Sequence, residues 1–477
     1  MLYSRNILLL YLIGLFVCVI FPYSIIGYIF TVITFVVAFK YFKENIYFLF
    51  IYFPIRPIIT DINNGLTFVG DVIIVTSFCI VLWNMRNQLK VLLNSYSYFI
   101  YFVFFLIIGS LMAYINDVSP IAIIMENRAL AMMALLAVVF FSNIWDRKDL
   151  KNILSISVIT AFFISLHGII EKISARTFLV PEAWTDWNLS MINASRVYGT
   201  LANPNVLAMY LLTVFFLSFL PIMLETKFKK VLPLFQIIIF GTALLTVSRG
   251  SFLAFSFGFL LFIVLNRPWK TLLRLSLTIV ISVFFIYHPA NLLADYVQIE
   301  SNIGEENIEE GEKPATNIPK TSFLGRLKTM LSDETIQAST EWGRIYIVLK
   351  GLEIFREHPI VGTGFGTFGD AATLSFGSPI YDEYKISDGI YTDNQYIHIL
   401  VSTGIIGTLL LLIFLIQMLR KLLPSISHRE RSLFLSITIV LLFSCLYYNV
   451  IEDKSFMLFY FSLLGFFHQR SRGSINA

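Results

Sequence analysis

The sequence is poor in charge, poor in cysteine and empty of the short motifs that bind nucleotides or catalytic metals. Charged residues make up 14% of its 477 residues, about half of what a soluble domain carries, so an ordinary water-soluble chain is excluded. Cys18, Cys79 and Cys445 all lie in apolar runs. Three such thiols build neither a disulfide framework nor a zinc site. No Asp-x-Asp pair, GxSxG elbow or P-loop occurs. The first absence disfavours a metal-dependent transferase of nucleotide sugars, which needs carboxylates to hold a divalent ion on phosphates. Gly362, Gly364 and Gly366 do not follow a buried strand of a βαβ unit, so they form no nucleotide loop. They are expected instead to let the backbone pack close to a membrane surface. Neither a cofactor nor a metal site is expected, and nothing points to nucleic acid.

What the chain has is apolar length. Hydrophobic residues make up 57% and aromatics 16%, and the mean hydropathy is +0.76. Apolar runs of spanning length, about 20 residues each, recur from residue 7 to residue 468. Arg5 and the run after it resemble a signal peptide but lack a small-x-small cleavage site, so a retained first span is expected. The reading is an all-α polytopic membrane protein with about 12–14 transmembrane helices and one large extracytoplasmic loop. Short basic connections stay in the cytoplasm, and every second connection here is basic, from Lys40 and Lys43 to Arg470 and Arg472. That alternation puts both termini inside. It predicts N-terminal spans over 1–171, an extracytoplasmic loop at 172–204, and central spans over 205–289. A large extracytoplasmic loop follows at 290–394, then C-terminal spans and a tail over 395–477. Within the large loop, residues 300–320 are acidic and read as a solvated insert. From Ser332 to His358 the pattern turns helical, with Trp342, Ile345, Tyr346, Leu349 and Leu352 as its apolar face. That helix would lie along the bilayer interface or pack on the outer ends of the spans.

Arginines stand where charge is costly. A cation at membrane depth costs at least about 2.5 kcal/mol, so it tends to be partnered and functional. Arg56 and Arg128 read as structural, paired with Asp61, Asp71 or Glu126. Arg196 (ASRVYGTLANPN) and Arg249 (LLTVSRGS) fall at the outer surface, and Arg344 joins them from the loop helix. The guanidinium fork matches phosphate oxygens, so arginines gathered on one outer pocket suit a pyrophosphate. Asn203, Pro204 and Asn205 read both as a capped helix start and as amides that hold a sugar or phosphate beside Arg196.

Four segments, RVYGTLANPNVLAMYL, TVSRGSFLAF, GRIYIVLKGLEIFREHPIVGTGFGTF and TDNQYIHILVSTGIIG, occur in this order. Together they resemble the O-antigen ligase and polymerase superfamily of bacterial envelope proteins, over roughly residues 190 to 450. The resemblance implies transfer of a glycan from a polyprenyl-pyrophosphate carrier on the outer face of the cytoplasmic membrane. It also implies that Arg196, Arg249 and Arg344 bind the pyrophosphate. Ligases of the family carry a His-Asn pair before the span that follows the large loop. Asp393-Asn394 stands there instead, which favours a polymerase of capsule, exopolysaccharide or teichuronic-acid type.

The residue chemistry runs parallel. A positioned carboxylate can take the proton of a sugar hydroxyl as the new bond forms, and arginines can stabilise a departing pyrophosphate without a metal. Asp393 is the expected base, with Arg249 and Arg344 as its catalytic partners. Arg196, Asn203, Asn205, Asn394, Tyr396 and His398 are the expected substrate contacts. Asp393 also reads as a helix cap, and His398 as an alternative base or a packed polar residue. The competing functions are a glycan ligase and a flippase of lipid-linked oligosaccharides. A flippase should show two related halves, which the sequence does not. A flippase and a chain-length regulator would be partners in the same pathway.

Overall fold

The computed structural model describes residues 2–475 except 143, 188, 190, 268, 307–342 and 388. Every regular element among the described residues is helical, as an all-α polytopic membrane protein requires. Among the described residues, six helices are long and apolar enough to cross a bilayer: Asn64–Asn84, Pro120–Phe141, Arg147–Ile173, Arg249–Asn266, Trp269–Val297 and Gln395–Ser425. A seventh results if Arg86–Ser95 and Phe99–Ile115, bent by 82°, count as one span. Ser24–Ala38, Pro204–Ser218 and Leu232–Leu245 are apolar but shorter. Fifteen residues cover about 22 Å, less than the roughly 30 Å of hydrocarbon. The expected 12–14 crossings include these shorter runs.

Most of the acidic stretch, from residue 307 on, lies outside the described residues. So does the first part of the loop helix, Trp342 included.

The chain folds as two compact units. The first comprises residues 1–73, 146–255 and 267–329. Its centre is Pro204–Ser218, buried at nearly every position, which is what a helix apolar all round requires. It packs against Arg147–Ile173 and Leu232–Leu245, and Gln236 Nε2 donates to Ser218 Oγ at 2.9 Å. The helix Phe42–Ile62 runs unbroken through Pro54 and Pro57. It is tied to Arg147–Ile173 where Lys43 Nζ reaches Asp149 Oδ2 at 2.6 Å. Leu2–Ile20 and Ser24–Ala38 leave Leu10, Phe16, Ile25 and Val32 exposed. Such a patch belongs against lipid rather than water.

The second unit comprises residues 74–145, 256–266 and 330–477. Its longest helix, Gln395–Leu422, is broken at Gly404, where φ is 60° and ψ is −162°. The break frees backbone groups, and the segment after Pro359 satisfies them. Thr363 N donates to Val401 O at 2.9 Å and Gly364 N to Ser402 O at 2.9 Å. In return, Ile405 N donates to Pro359 O at 2.9 Å and Ile406 N to Ile360 O at 3.1 Å. The glycine run therefore packs inside the protein, not at the membrane surface as expected. A Cβ on Gly364, where φ is +101°, would lie 2.0 Å from Ala113 N.

The loop helix, Arg344–Glu357, docks rather than floats. Ile354 is buried in a cluster with Phe368, Tyr381, Tyr384 and Val401, and Ile347 packs against it. The inward face is thus Ile347, Gly351 and Ile354. Ile345 and Leu349, expected on it, are 38% and 52% exposed. Gly351 decides this, because a Cβ there would sit 2.3 Å from Ile397 and its absence lets that face approach.

Gly364→Ala is therefore expected to lose more than about 3 kcal/mol, through overpacking added to backbone strain. Gly389, at φ +82°, has open space within 4 Å of where a Cβ would stand. The same change there should lose only the strain of about 1–2 kcal/mol. Thermal unfolding in detergent checks the contrast.

Candidate active site

In the first unit the first two sequence motifs meet. Arg196 Nε donates to Thr246 O at 2.9 Å, and its Nη2 donates to Asn205 Oδ1 at 2.8 Å. Ser248 Oγ donates to the same Asn205 Oδ1 at 2.9 Å and lies 2.8 Å from Ser251 Oγ. Asn203 Oδ1 accepts from Asn205 N at 2.8 Å and Val206 N at 3.3 Å, so it caps Pro204–Ser218. Pro in the first turn costs nothing there, because that N–H has no helical partner. Arg249 opens the helix Arg249–Asn266, directly after this network. Arg196, Asn203, Asn205 and Arg249 thus belong to one neighbourhood, built by a cap, a helix start and a shared amide.

Three residues that the sequence reading passed over hold this neighbourhood from behind. Glu171, 2% exposed, accepts from Tyr198 N at 3.1 Å and Gly199 N at 2.6 Å. Arg176 stands over the Tyr198 ring, 4.2 Å from its centroid, with Nε 3.8 Å from Glu171. Lys172 Nζ donates to Ser195 O at 2.8 Å. Their signal was a run of Glu171, Lys172 and Arg176 at a span end, which reads from sequence as an ordinary solvated terminus.

In the second unit the last two motifs meet. Arg344 Nη2 lies 3.2 Å from Asp393 Oδ2, with the side chains 50% and 35% exposed. A pair so exposed contributes about 0–1 kcal/mol, so it opens readily to a ligand. Asp393 is not the helix cap. Asn394 takes that role, its Oδ1 accepting from Ile397 N at 3.1 Å while its Nδ2 donates to Leu446 O at 3.2 Å. Tyr396 OH donates to Leu442 O at 2.8 Å. The cap and the anchor leave Asp393 presented outward beside Arg344.

His398 is a different matter. It is 1% exposed, with Nε2 3.5 Å from Asp370 Oδ2 and Nδ1 3.8 Å from Glu452 Oε1. Asp370 accepts from Gly366 N at 2.6 Å and Thr373 N at 2.7 Å, and so caps Ala371–Phe376. Burial raises its proton affinity. The His398 side chain and those two backbone donors outweigh this and hold the carboxyl below the usual carboxylate range. Glu452 accepts from Tyr391 OH at 3.2 Å. Burial pushes its pKa up to about 7, with His398 opposing the rise and Asp370 adding to it. These groups lie under the backbone that presents Asp393, since Thr392 N donates to Gly369 O at 2.8 Å. Glu126, one of the three acids suggested as partners for Arg56 and Arg128, is fully buried, and neither of its oxygens has a hydrogen-bond partner among the described residues. Arg56 donates to Thr67 O at 3.4 Å.

Fold and residues together define a multi-pass α-helical membrane protein with guanidinium groups set at helix starts. Residues 234–412 match the O-antigen ligase family model, which supports for this stretch the O-antigen ligase/polymerase superfamily and a glycan function of that type. No curated protein matches the chain.

Asn205→Ala removes the acceptor that Arg196 and Ser248 share. The expected loss is about 2 kcal/mol, given that a hydrogen bond to a charged donor is among those lost. Thermal unfolding of the purified variant measures it. A shift like that of an exposed polar-to-Ala change would mean that the shared amide does not hold the two motifs together.

Proposed function

We propose that the protein is a polymerase that joins polyprenyl-pyrophosphate-linked oligosaccharide units into a cell-surface polysaccharide. The observation that carries this reading is the outward Arg344–Asp393 pair, at the position where ligases of the superfamily have histidine. Asp393 takes the proton of the acceptor hydroxyl as that oxygen attacks the anomeric carbon of the donor glycan. The bond from that carbon to the pyrophosphate oxygen breaks, and the carrier leaves as an anion. Arg196, Arg249 and Arg344 bind the pyrophosphate and stabilise the charge it gains. A helix N-terminus adds to Arg249 by favouring an anion there. Asn203, Asn205, Asn394 and Tyr396 are the proposed glycan and phosphate contacts. The buried position of His398 favours a supporting role for it over that of a base.

The same reading sets the reaction on the outer face of the cytoplasmic membrane, with 172–204 and 290–394 extracytoplasmic and both termini inside, from the alternation of basic connections. No metal takes part in the chemistry as proposed. The polymer is of capsule, exopolysaccharide or teichuronic-acid type, and a flippase that delivers the units is the expected partner.

The deciding experiment supplies the purified protein with a synthetic polyprenyl-pyrophosphate repeat unit and resolves the products by length. Wild type should build a ladder. Asp393→Ala should remain folded in the membrane and lose about 10²–10⁴-fold in rate, the range for a positioned general base. An unchanged ladder from that variant would remove Asp393 from the mechanism. Arg249→Lys keeps the charge but loses the fork, and its rate should fall well below that of Arg429→Lys at a basic connection. Equal rates would make Arg249 an anchor only. Transfer to a lipid or protein acceptor without ladder formation would select the ligase reading.

A further inference from the structure

Three buried carboxylates lie close together in the second unit. Glu126, Asp370 and Glu452 are three carboxylates with side chains almost wholly out of solvent. The ligand atoms of Glu126, Asp370 and His398 all lie within 4.8 Å of one another. Among the described residues, the charged groups that act on the three acids are one another and His398, not a lysine or arginine. An ion buried without a partner is among the costliest things a fold can hold.

Both oxygens of Glu126 and the Nε2 of His398 lack a hydrogen-bond partner. The Ala372 backbone faces Glu126 without closing a sound bond. This spacing separates two ways of relieving the charge. A proton shared between carboxylates draws their oxygens to about 2.5–2.7 Å. Glu126 makes no such contact. Oxygens around one hard cation, each about 2.3–2.6 Å from it, stand about 3–5 Å from each other. The observed cluster has that looser spacing.

The histidine decides which cation. Gln395 Oε1 accepts from Ile451 N at 3.1 Å, so its amide nitrogen is the atom turned to His398 Nδ1, at 3.1 Å. An amide nitrogen only donates, so Nδ1 accepts and the neutral ring carries its proton on Nε2. That proton faces Asp370 and keeps Nε2 from ligating a metal. The ligands left are oxygens, the set that suits calcium, magnesium or manganese rather than zinc.

We propose that Glu126 and Asp370, backed by the charge of Glu452, hold a divalent hard cation in the second unit, with the Nε2 of His398 facing Asp370 beside it. The ion is structural. It neutralises the floor beneath the Tyr391–Asn394 segment and takes no part in glycan transfer, so the inference stands apart from the proposed reaction.

The test uses the full-length protein in detergent, stripped with EDTA and dialysed. Mn2+ is titrated with free ion followed by electron paramagnetic resonance, and thermal unfolding is measured with and without Ca2+ or Mg2+. Wild type should bind about one Mn2+ per chain and unfold at higher temperature with Ca2+ or Mg2+. Glu126→Gln, which keeps the shape and removes the charge, should bind Mn2+ at least ~10-fold more weakly and lose the thermal response. Its metal-free form should unfold no lower than metal-free wild type. If Glu126→Gln cannot be purified, the stripped and reloaded wild type still decides. No binding and no thermal shift in wild type would overturn the proposal, as would equal Mn2+ affinity in Glu126→Gln. Binding of Zn2+ alone, abolished by His398→Gln, would overturn the hard-cation chemistry.

Discussion

The second unit depends on one broken helix. A helix that continued through Gly404 would satisfy its own backbone and leave the preceding loop nothing to hold. At Gly404 the chain turns to φ 60°, a conformation open to glycine at little cost. Groups freed near a bilayer cost several kcal/mol each unless protein satisfies them. The segment from Pro359 to Gly364 does so in both directions, giving two N–H groups and accepting two. That exchange sets where Phe365 lies against Gly109 and where Phe368 and Asp370 come to rest. Gly369, between the last two, in turn accepts from Thr392 N. The position of Asp393 is thus inherited from a helix break eleven residues further along the chain.

Two aspartates of this unit show how environment divides labour. Asp370 is fully buried and spends both oxygens on backbone donors, so it cannot reach an incoming alcohol. Asp393 is about a third exposed and, among the described residues, is held by Arg344, a contact too weak to exclude a ligand. Solvent access, not residue type, picks Asp393 as the group fit for proton transfer on the proposed reading. The same criterion separates His398 from it, although the two lie little more than one helical turn apart in sequence.

The broad class was legible because lipid and water leave different compositions. Low charge, apolar runs and absent metal motifs sufficed for an all-α membrane protein. The pairing of motifs was partly legible: Arg196 with Asn205 follows from nine residues of separation and a cap between them, whereas Arg344 with Asp393 spans 49 residues. What stayed hidden has physical causes. The docked face of Arg344–Glu357 is set by Gly351, and a periodicity count gives weight to large apolar residues, not to a gap that lets a partner approach. Glu126, Asp370 and Glu452 lie far apart in the chain, and each reads alone as a stray acid.

The arginines differ in how firmly they are held, and that has consequences for the proposed chemistry. Arg196 is fixed by Thr246 and Asn205, so little side-chain freedom remains to be lost when it meets an anion. Such preorganisation is what makes a donor effective as charge develops, since nothing must reorganise at that moment. Arg344 is half-exposed and, among the described residues, pairs with one carboxylate, Asp393. If Asp393 accepts a proton, its charge is gone and Arg344 loses its partner at the step in which the pyrophosphate gains charge. Deprotonation of the acceptor would then release a guanidinium for the departing group. A lysine in place of Arg344 would keep the charge but not the two-pronged contact, Nε and Nη2 both turned to Asp393 Oδ2, through which the exchange would be coupled.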